Sequence, residues 1–469
     1  MLETETQQPE LQSNMKGFMF FWSGQLVSIL GSSIIQFVLT WWVTVETGSP
    51  LLLSLAMFVG FIPTIILTPI AGVFVDRWNR KALIGTVDFL QAAVTVVLLF
   101  LFMFDYVTVP ILLIFLAARG VFQAFHQPAV MSLIPIMVPR KHLGRINSID
   151  YFFNSIIFLI GPIVAAFLFK FLAIQHILWI DAASFVVAVI PLIFIKIPKL
   201  IKEKVEIKEK KKFFADFKEG FVFIKEKKGL LPLLSAFTGA NFFIMPLFTL
   251  LNLFIYTTHG GTETNLAFIL AFNQAGMIVG SILFIIWKGF KKKVLGVIIG
   301  LLCMYSGFMF LTFAPFQWFW FIGLGFLVIG FGLPMANISS QTIWQSIVPK
   351  EKLGRVMSVR IAIAQFTAPM GMILSGVIAV ALARGIAKTE TQAVADALAI
   401  KYIFIGATVL GIVFLAISWL FTSMRHVEKG IILIEDEEEK EALTEKKETK
   451  LETDDLFDAE PSPKLASVD

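Results

Sequence analysis

Five charged side chains lie inside long apolar segments of this sequence, where ionisable groups are costly. They are Asp88, Arg119, Asp150, Asp181 and Arg360. A charge at the centre of a bilayer costs about 2.5–3.5 kcal/mol on insertion scales, so each one needs a partner or a function. Four of them are our candidates for proton coupling or for structural membrane charges: Asp88, Arg119, Asp150 and Arg360.

The positions of these charges suggest different roles. Arg119 is the deepest, and as a structural arginine it would pair with a carboxylate or with backbone carbonyls. Asp88 lies two turns from a charged loop, where a gating contact and simple interfacial placement are both open. Asp181 lies near the outer end of its apolar segment, and we expect it at the interface. His126 could titrate near neutral pH, but a lone histidine before Gln127–Pro128 is more often a hydrogen-bonded packing residue.

Two copies of one motif indicate an internal repeat. The segments Val138–Ser148 and Val348–Ser358 share Val-Pro, Leu-Gly-Arg and Ser at the same spacing, with an offset of 210 residues and no gap. Gly120 pairs with Gly330 at the same offset. Each copy links the fourth apolar segment of its half to the fifth, so we predict two halves of the same orientation.

Asp150 and Arg360 are equivalent positions in the two repeats. They could face each other across the inner mouth of the protein, with a salt bridge that forms in an outward-facing state and breaks in an inward-facing one. The alternative is that both are interfacial charges, each extending toward water independently.

Neutral polar side chains recur in otherwise apolar segments and are candidates for a cargo cavity. Those selected are Gln25, Gln36, Asn241, Asn252, Asn337 and Gln341. Such residues also form hydrogen bonds between helices in any membrane bundle, so each has a structural alternative. The abundance of Phe (49 residues) and Met (16 residues) favours a large amphipathic ligand over a sugar or a dianion.

The composition excludes a soluble fold. The chain of 469 residues is 57 % hydrophobic and only 16 % charged, with a mean hydropathy of +0.81. Its basic residues are concentrated in loops on one side, which argues against a nucleic-acid partner. The single cysteine, Cys303, excludes an internal disulfide and a thiolate metal cluster, and we predict no metal site.

We predict twelve membrane-spanning helices, each long enough to cross a bilayer. They lie at about 17–45, 51–75, 82–104, 110–137, 147–170, 176–197, 230–256, 265–287, 294–314, 318–347, 356–383 and 399–422. Most Lys and Arg residues fall on one side of this arrangement, which predicts that both termini are cytoplasmic.

The predicted organisation has five parts: a cytoplasmic tail at 1–15, a six-helix bundle at 16–197, a linker at 198–229, a second six-helix bundle at 230–422, and an acidic tail at 423–469. The linker ends in an amphipathic pattern that we expect to form a helix on the membrane surface. The acidic tail is expected to be disordered.

The short loop at residues 72–81 reads Gly-Val-Phe-Val-Asp-Arg-Trp-Asn-Arg-Lys. Its length predicts that the flanking helices lie side by side, with Gly72 allowing a close approach and Asp76 bonding to Arg80 or capping a helix. The loop closely resembles the G-x-x-x-D-R-x-x-R-K signature after the second helix of major facilitator superfamily transporters. The gate residues this implies are Gly72, Asp76, Arg77, Arg80 and Lys81.

Two further motifs resemble those of the superfamily. The segment Arg119–Gln123 is similar to its fourth-helix motif, in which the arginine is associated with proton transfer. Gly161-Pro162-Ile-Val-Ala-Ala resembles the G-P-x-x-G-G motif associated with antiporters, with alanine replacing both final glycines. A proline kink with small-residue packing is the alternative for that segment. In this superfamily the first, fourth, seventh and tenth helices line the cavity.

Within the superfamily, the chain resembles the macrolide-efflux branch, which is also similar to enterobactin-type exporters. The segments that carry this resemblance are Phe20–Ser28, Glu46–Ser49, Ala124–Ala129 and Leu353–Val356. The resemblance implies an all-α fold of twelve helices in two pseudo-symmetric six-helix bundles. It further implies proton-driven export of a hydrophobic or amphipathic compound, such as a macrolide or a siderophore-like molecule, across a bacterial cell membrane.

Several alternatives stay open. An importer or facilitator of the same fold would carry the same features, and a non-transporting sensor or scaffold is a further possibility. An intramembrane enzyme would need a Ser/His dyad, facing aspartates or a His-Glu-x-x-His helix, none of which the sequence contains. We expect a monomer that has no cofactor, is driven by the proton gradient, and interacts with a small molecule, protons and the lipid bilayer.

Overall fold

The computed structural model describes residues 15–139, 142–195, 213–287 and 289–428. All regular secondary structure within these ranges is helical. The α-helices are α1 (Met15–Thr47), α2 (Pro50–Arg77), α3 (Arg80–Met103), α4 (Val109–Met137), α5 (Leu143–Phe169), α6 (Ile174–Phe194), α7 (Phe213–Glu226), α8 (Leu230–Leu253), α9 (Glu263–Trp287), α10 (Lys293–Thr312), α11 (Phe319–Ile347), α12 (Lys350–Ile386) and α13 (Gln392–Phe421). In the described ranges, twelve of these, all except α7, are long and apolar enough to cross a membrane, which confirms the predicted fold class.

Local sequence explains where several helices begin. Ser49 caps α2 by accepting a hydrogen bond from the Leu52 amide at 3.3 Å, and Pro50 occupies the first turn, where its missing N–H costs nothing. Asn79 caps α3 in the same way through the Ala82 amide. Helices α12 and α13 begin six and seven residues before the predicted spans, at Lys350 and Gln392, because helical hydrogen bonding continues into polar turns that hydropathy does not detect.

Short connections make successive spans alternate in direction. We call the end at which α2 meets α3, α4 meets α5 and α11 meets α12 the basic end, and the other the opposite end. Helix α2 packs on α4 and α12, whereas α3 packs on α4 and α6. The prediction that α2 and α3 lie side by side is therefore wrong, because α4 lies between them. A Cβ atom at Gly72 would meet no atom within 4 Å, so Gly72 does not mediate a close approach.

The buried core shows where the two halves of the chain meet. One cluster of buried side chains combines the opposite-end residues of α1–α6 with the core of α8–α13. A second cluster, at the basic end, is built from α1–α6 alone. Across the halves, the Trp41 and Tyr256 rings make an edge-to-face contact at 6.0 Å, and Gly376 of α12 lies against Ser54 of α2. The halves are thus joined at the opposite end, and the described residues form no shared core at the basic end.

The short helix α7 occupies the end of the predicted linker. Its apolar face packs on α8 and α12, with Phe223 and Ile224 buried, so it is docked on protein rather than lying only on a membrane surface. Gly220 sits against the Arg355 carbonyl and Val359 of α12. The linker residues 196–212 lie outside the described part of the chain.

The residues that follow α13 are described up to Glu428 and pack against the C-terminal half. Met424 and Val427 are buried, and the Glu428 carboxylate accepts a hydrogen bond from the Val294 amide at the start of α10, at 2.8 Å. Burial raises the pKa of Glu428, while this hydrogen bond and the nearby Lys293 oppose the rise. The prediction of a disordered tail is therefore wrong for residues 423–428, and residues 429–469 lie outside the described part.

Repeat-equivalent glycines bring helices together in both halves. A Cβ atom at Gly120 of α4 would lie 2.5 Å from the Gly60 carbonyl oxygen of α2. A Cβ atom at Gly330 of α11 would collide with the Asn273 carbonyl oxygen of α9. Since backbone cannot move aside as a flexible side chain can, each position requires glycine for the observed helix spacing.

We expect Gly330→Ala to destabilise the protein by about 1–3 kcal/mol, the usual cost of overpacking. The matched control is Gly406→Ala in α13, where a Cβ atom would meet nothing within 4 Å. Thermal unfolding of the purified proteins in one detergent measures both changes. Equal unfolding temperatures for the two variants would contradict the close packing of α9 and α11.

Candidate functional site

A cavity of about 420 Å³ lies within the N-terminal half. Side chains from α1 to α6 line it, and most of its polar atoms come from hydroxyl and amide groups. Its polar and ionisable lining residues are Ser28, Ser32, Ser33, Gln36, Thr64, Gln91, Arg119, Gln123, His126 and Gln127. Gln36 thus lines a cavity, and its role in binding cargo remains a prediction.

Arg119 is held by a buried carboxylate from α6. Its Nη1 atom lies 2.9 Å from Asp181 Oδ2 and donates a second hydrogen bond to the Thr95 hydroxyl at 2.9 Å. The Asp181 side chain is 0 % exposed, and Thr95 also donates to it. The prediction of an interfacial Asp181 is wrong, because this pairing compensates both charges inside the bundle.

Asp88 forms a second buried cluster with α1 and α4. Its Oδ1 atom lies 2.9 Å from His126 Nε2, and its Oδ2 atom accepts a hydrogen bond from Gln25 Nε2 at 3.3 Å. Asp88 is 0 % exposed, so the interfacial placement left open for it is excluded. Gln25 is 1 % exposed and is not among the residues that line the cavity, which corrects its selection as a cavity residue.

The C-terminal half contains a separate cavity of about 310 Å³. Its walls are apolar, with a group of amides and one guanidinium among them. The polar residues that line it are Asn241, Asn337, Gln341, Arg360 and Gln365. Asn252, which lies further along α8, is not among the residues that line this cavity, and its role in binding cargo remains a prediction.

Asp150 and Arg360 each have partners within their own half. Asp150 accepts a hydrogen bond from Trp22 Nε1 at 2.7 Å. Arg360 donates to Gln341 Oε1 at 2.8 Å and to the Ser340 hydroxyl at 3.1 Å, and it lies 5.4 Å from the ring of Trp344. The described residues contain no contact between Asp150 and Arg360. The hypothesis confines their bridge to an outward-facing state, and it remains a prediction.

The loop at residues 72–81 is described only in part. Lys81 donates hydrogen bonds to the Ile193 and Ile195 carbonyls at 2.9 and 2.7 Å, and so caps the C-terminus of α6. Asn79 caps α3. The side chains of Asp76 and Arg77 lie outside the described residues.

The fifth-helix motif acts in packing. A Cβ atom at Gly161 would collide with Ser33 of α1, and Ala165 and Ala166 are buried. Pro162 lies inside α5. These contacts fit the small-residue packing that was the alternative to an antiporter role.

The sequence reasoning missed three partners: Thr95, Asp181 as an interior carboxylate, and Trp22. The available signal was charge balance, since an arginine as deep as Arg119 needs a carboxylate at a similar depth. Asp181, two turns into α6, was a candidate for that carboxylate.

We expect Asp181→Asn to lower the unfolding temperature strongly. The substitution leaves the Arg119 guanidinium without its carboxylate, and breaking a buried pair in this way costs about 3–5 kcal/mol. Adding Arg119→Gln removes the uncompensated charge and should restore part of the loss. Thermal unfolding of the wild type, both single variants and the double variant gives the coupling energy. A double variant no more stable than Asp181→Asn would contradict the pairing.

Comparisons with known sequences support an efflux relationship. Macrolide efflux protein A of Streptococcus pyogenes is 29 % identical over 362 residues, which cover 77 % of this chain and 89 % of the relative. Multidrug efflux pump Tap of Mycolicibacterium fortuitum is 23 % identical over 365 residues, covering 74 % of this chain and 86 % of the relative.

Solved structures of transporters share the fold. A bacterial homologue of the human lysosomal transporter Spinster, in an inward-facing and unoccupied conformation, has a TM-score of 0.65 at 16 % identity and covers 88 % of this chain and 97 % of that one. A D-xylose–proton symporter has a TM-score of 0.58 at 14 % identity and covers 87 % and 99 %. At these identities the likeness concerns the fold alone. Because the Major Facilitator Superfamily model matches residues 21–372, the chain belongs to that superfamily.

Proposed function

We propose that this transporter exports a hydrophobic or amphipathic small molecule in exchange for protons, by alternating access. One observation supports proton exchange most directly: the buried carboxylate of Asp88 lies 2.9 Å from a histidine side chain. The names of the efflux relatives support export, and a macrolide or a siderophore-like compound is a candidate cargo.

The two cavities support the transport part of the proposal. Each half of the chain contains one, and both combine apolar walls with amides or hydroxyls, a lining that suits an amphipathic ligand of modest specificity. The halves share a core at the opposite end and not, in the described part, at the basic end. If the basic end is cytoplasmic, as its charge predicts, this is an inward-facing state, and rocking of the halves would expose the cavities to the other side.

The two buried pairs of the N-terminal half differ in what they can do with a proton. Arginine stays charged throughout the physiological range, so the arginine of the pair Asp181–Arg119 does not exchange a proton there. Histidine changes charge between about pH 5 and 8. We therefore assign the exchanged proton to the pair Asp88–His126, whose histidine lines the cavity and can meet water there.

The charged groups around this pair are few. Gln25 of α1 is the neutral partner of Asp88, and Arg119 of α4 lines the same cavity but is engaged by Asp181. Asp150 of α5 is engaged by Trp22. In the described part of the chain, Arg119 and Asp150 thus have partners other than Asp88 and His126.

The loop at residues 72–81 would stabilise one gate. Lys81 joins the start of α3 to the end of α6, next to the chain that leads into the linker. The role of this loop and the direction of transport are both proposals.

We expect inverted membrane vesicles that contain the protein to accumulate a cargo compound when they are acidified inside, and to lose it when a protonophore is added. Uptake of a panel of labelled compounds, including erythromycin, is measured against vesicles without the protein. Accumulation that ignores the protonophore would exclude proton exchange. Accumulation only in right-side-out vesicles would indicate import.

We expect His126→Gln to reduce proton-driven accumulation at least tenfold. Cargo exchange across the membrane, measured in the absence of a proton gradient, should be unchanged. Glutamine can still donate a hydrogen bond to Asp88, but it cannot carry a proton in this range. The control is His176→Gln, at the start of α6 and away from the cavity lining. Unchanged proton dependence in His126→Gln would remove His126 from the coupling mechanism.

A further inference from the structure

Arg360 is a cation in the C-terminal cavity whose described partners are all neutral. Its guanidinium is the only one among the residues that line this cavity. Its hydrogen bonds go to the Gln341 amide oxygen, to the Ser340 hydroxyl and, weakly, to the Met357 sulfur at 3.8 Å. These contacts use three of the five N–H groups of a guanidinium, so two remain for another acceptor.

None of the described carboxylates lines this cavity: Glu219 of α7, which packs on α12, is engaged by Arg355, and Glu428 after α13 is engaged by the Val294 amide. The acidic side chains described on α8–α13 and their connections are Glu263, Glu390 and Asp396, all at the opposite end. Arg360 lies near the basic end of α12, far from all three. Glu351, whose side chain is outside the described residues, is nine residues away, about 13 Å along the helix axis.

None of the acidic side chains described in the N-terminal half lines its cavity, including Asp150, whose described partner is a neutral indole. Asp181 is engaged by Arg119 and Asp88 by His126, and both carboxylates are 0 % exposed. A cationic cargo would therefore find no carboxylate on the cavity walls in the described part of the chain. An anionic cargo would find Arg360, whose uncompensated charge in an apolar span is costly until a carboxylate offsets it.

The neighbours of Arg360 prepare it to bind an anion. Because Gln341 accepts from the guanidinium through its oxygen, its amide nitrogen is left to donate into the cavity. Trp344 lies 5.4 Å from the guanidinium carbon and limits its movement on one side. The opposite walls are apolar and include Phe237, Ile244 and Leu333.

We propose that the C-terminal cavity binds a carboxylate of the cargo, held by the Arg360 guanidinium and the Gln341 amide, while the apolar walls hold the hydrophobic body of the molecule. The transported compound would then be an amphipathic organic acid rather than an amphipathic amine, which would remove amine macrolides such as erythromycin from the candidate cargoes. This assignment rests on the proposed export function, because that function identifies the bound molecule as the transported one. The binding itself needs no proton gradient.

Three fluorescent probes with a common ring system test the proposal. Dansylglycine carries a carboxylate, dansylamide is neutral, and dansylcadaverine carries an ammonium. Each is titrated into the full-length protein in nanodiscs made of neutral lipid, and the rise in dansyl emission reports binding. We expect dansylglycine to bind the wild type at least tenfold more tightly than dansylcadaverine. Equal affinities, tighter binding of the amine, or no binding of dansylglycine would each overturn the proposal.

Variants separate Arg360 from a general effect of charge. Arg360→Gln should weaken dansylglycine at least tenfold and leave dansylamide unchanged, and Arg360→Lys should retain part of the affinity because it keeps the charge and loses the planar fork. The control is Arg355→Gln, one turn and a half earlier on α12, where the side chain bonds to Glu219 outside the cavity. A similar loss in Arg355→Gln, or no loss in Arg360→Gln, would contradict the site. A chain that binds dansylglycine through Arg360 but moves no protons would disprove only the proposed exchange.

Discussion

The cost of placing a charge in a bilayer organises this molecule. Each ionisable side chain in the membrane-spanning part must find a partner, and the two halves find different ones. The N-terminal half supplies acids for its cations, as Asp181 does for Arg119. The C-terminal half surrounds Arg360 with an amide, a hydroxyl and an aromatic ring, which share the charge without neutralising it. This difference underlies our two proposals, proton exchange at the pair Asp88–His126 in the N-terminal half and an anion site at Arg360 in the C-terminal half.

This chemical asymmetry is built on a symmetric scaffold. Gly120 and Gly330 occupy equivalent positions and allow the same close approach between equivalent helices. Asp150 and Arg360 are also equivalent, yet they carry opposite charges and use different partners. Packing between helices depends on small side chains and backbone shape, so it tolerates little change. The residues that face the cavities are not under that constraint, and there the repeats differ.

Hydropathy and the repeat were enough to predict the fold, because spanning a membrane requires long apolar helices whatever their neighbours are. They could not predict which helices touch. A short loop limits the distance between two helix ends, but α2 and α3 still diverge around α4. Likewise, the position of Asp181 along its apolar segment predicted an interfacial side chain. The sequence does not show that Arg119 lies beside Asp181 in the fold. Gln25 failed as a cavity residue for the same reason: its partner, Asp88, is 63 residues away in the chain.

The distribution of contacts indicates how the halves could move. At the basic end, the described polar contacts stay within one half: Lys81 with the end of α6, Arg355 with Glu219, and Glu428 with the start of α10. At the opposite end, the contacts that cross between halves are made by apolar or small groups, such as Trp41 with Tyr256 and Gly376 with Ser54. A rotation of one half against the other can therefore leave every one of those polar contacts intact. It needs only to separate nonspecific packing, which other side chains can replace in the alternative state, and this is the mechanical condition for two states of similar free energy.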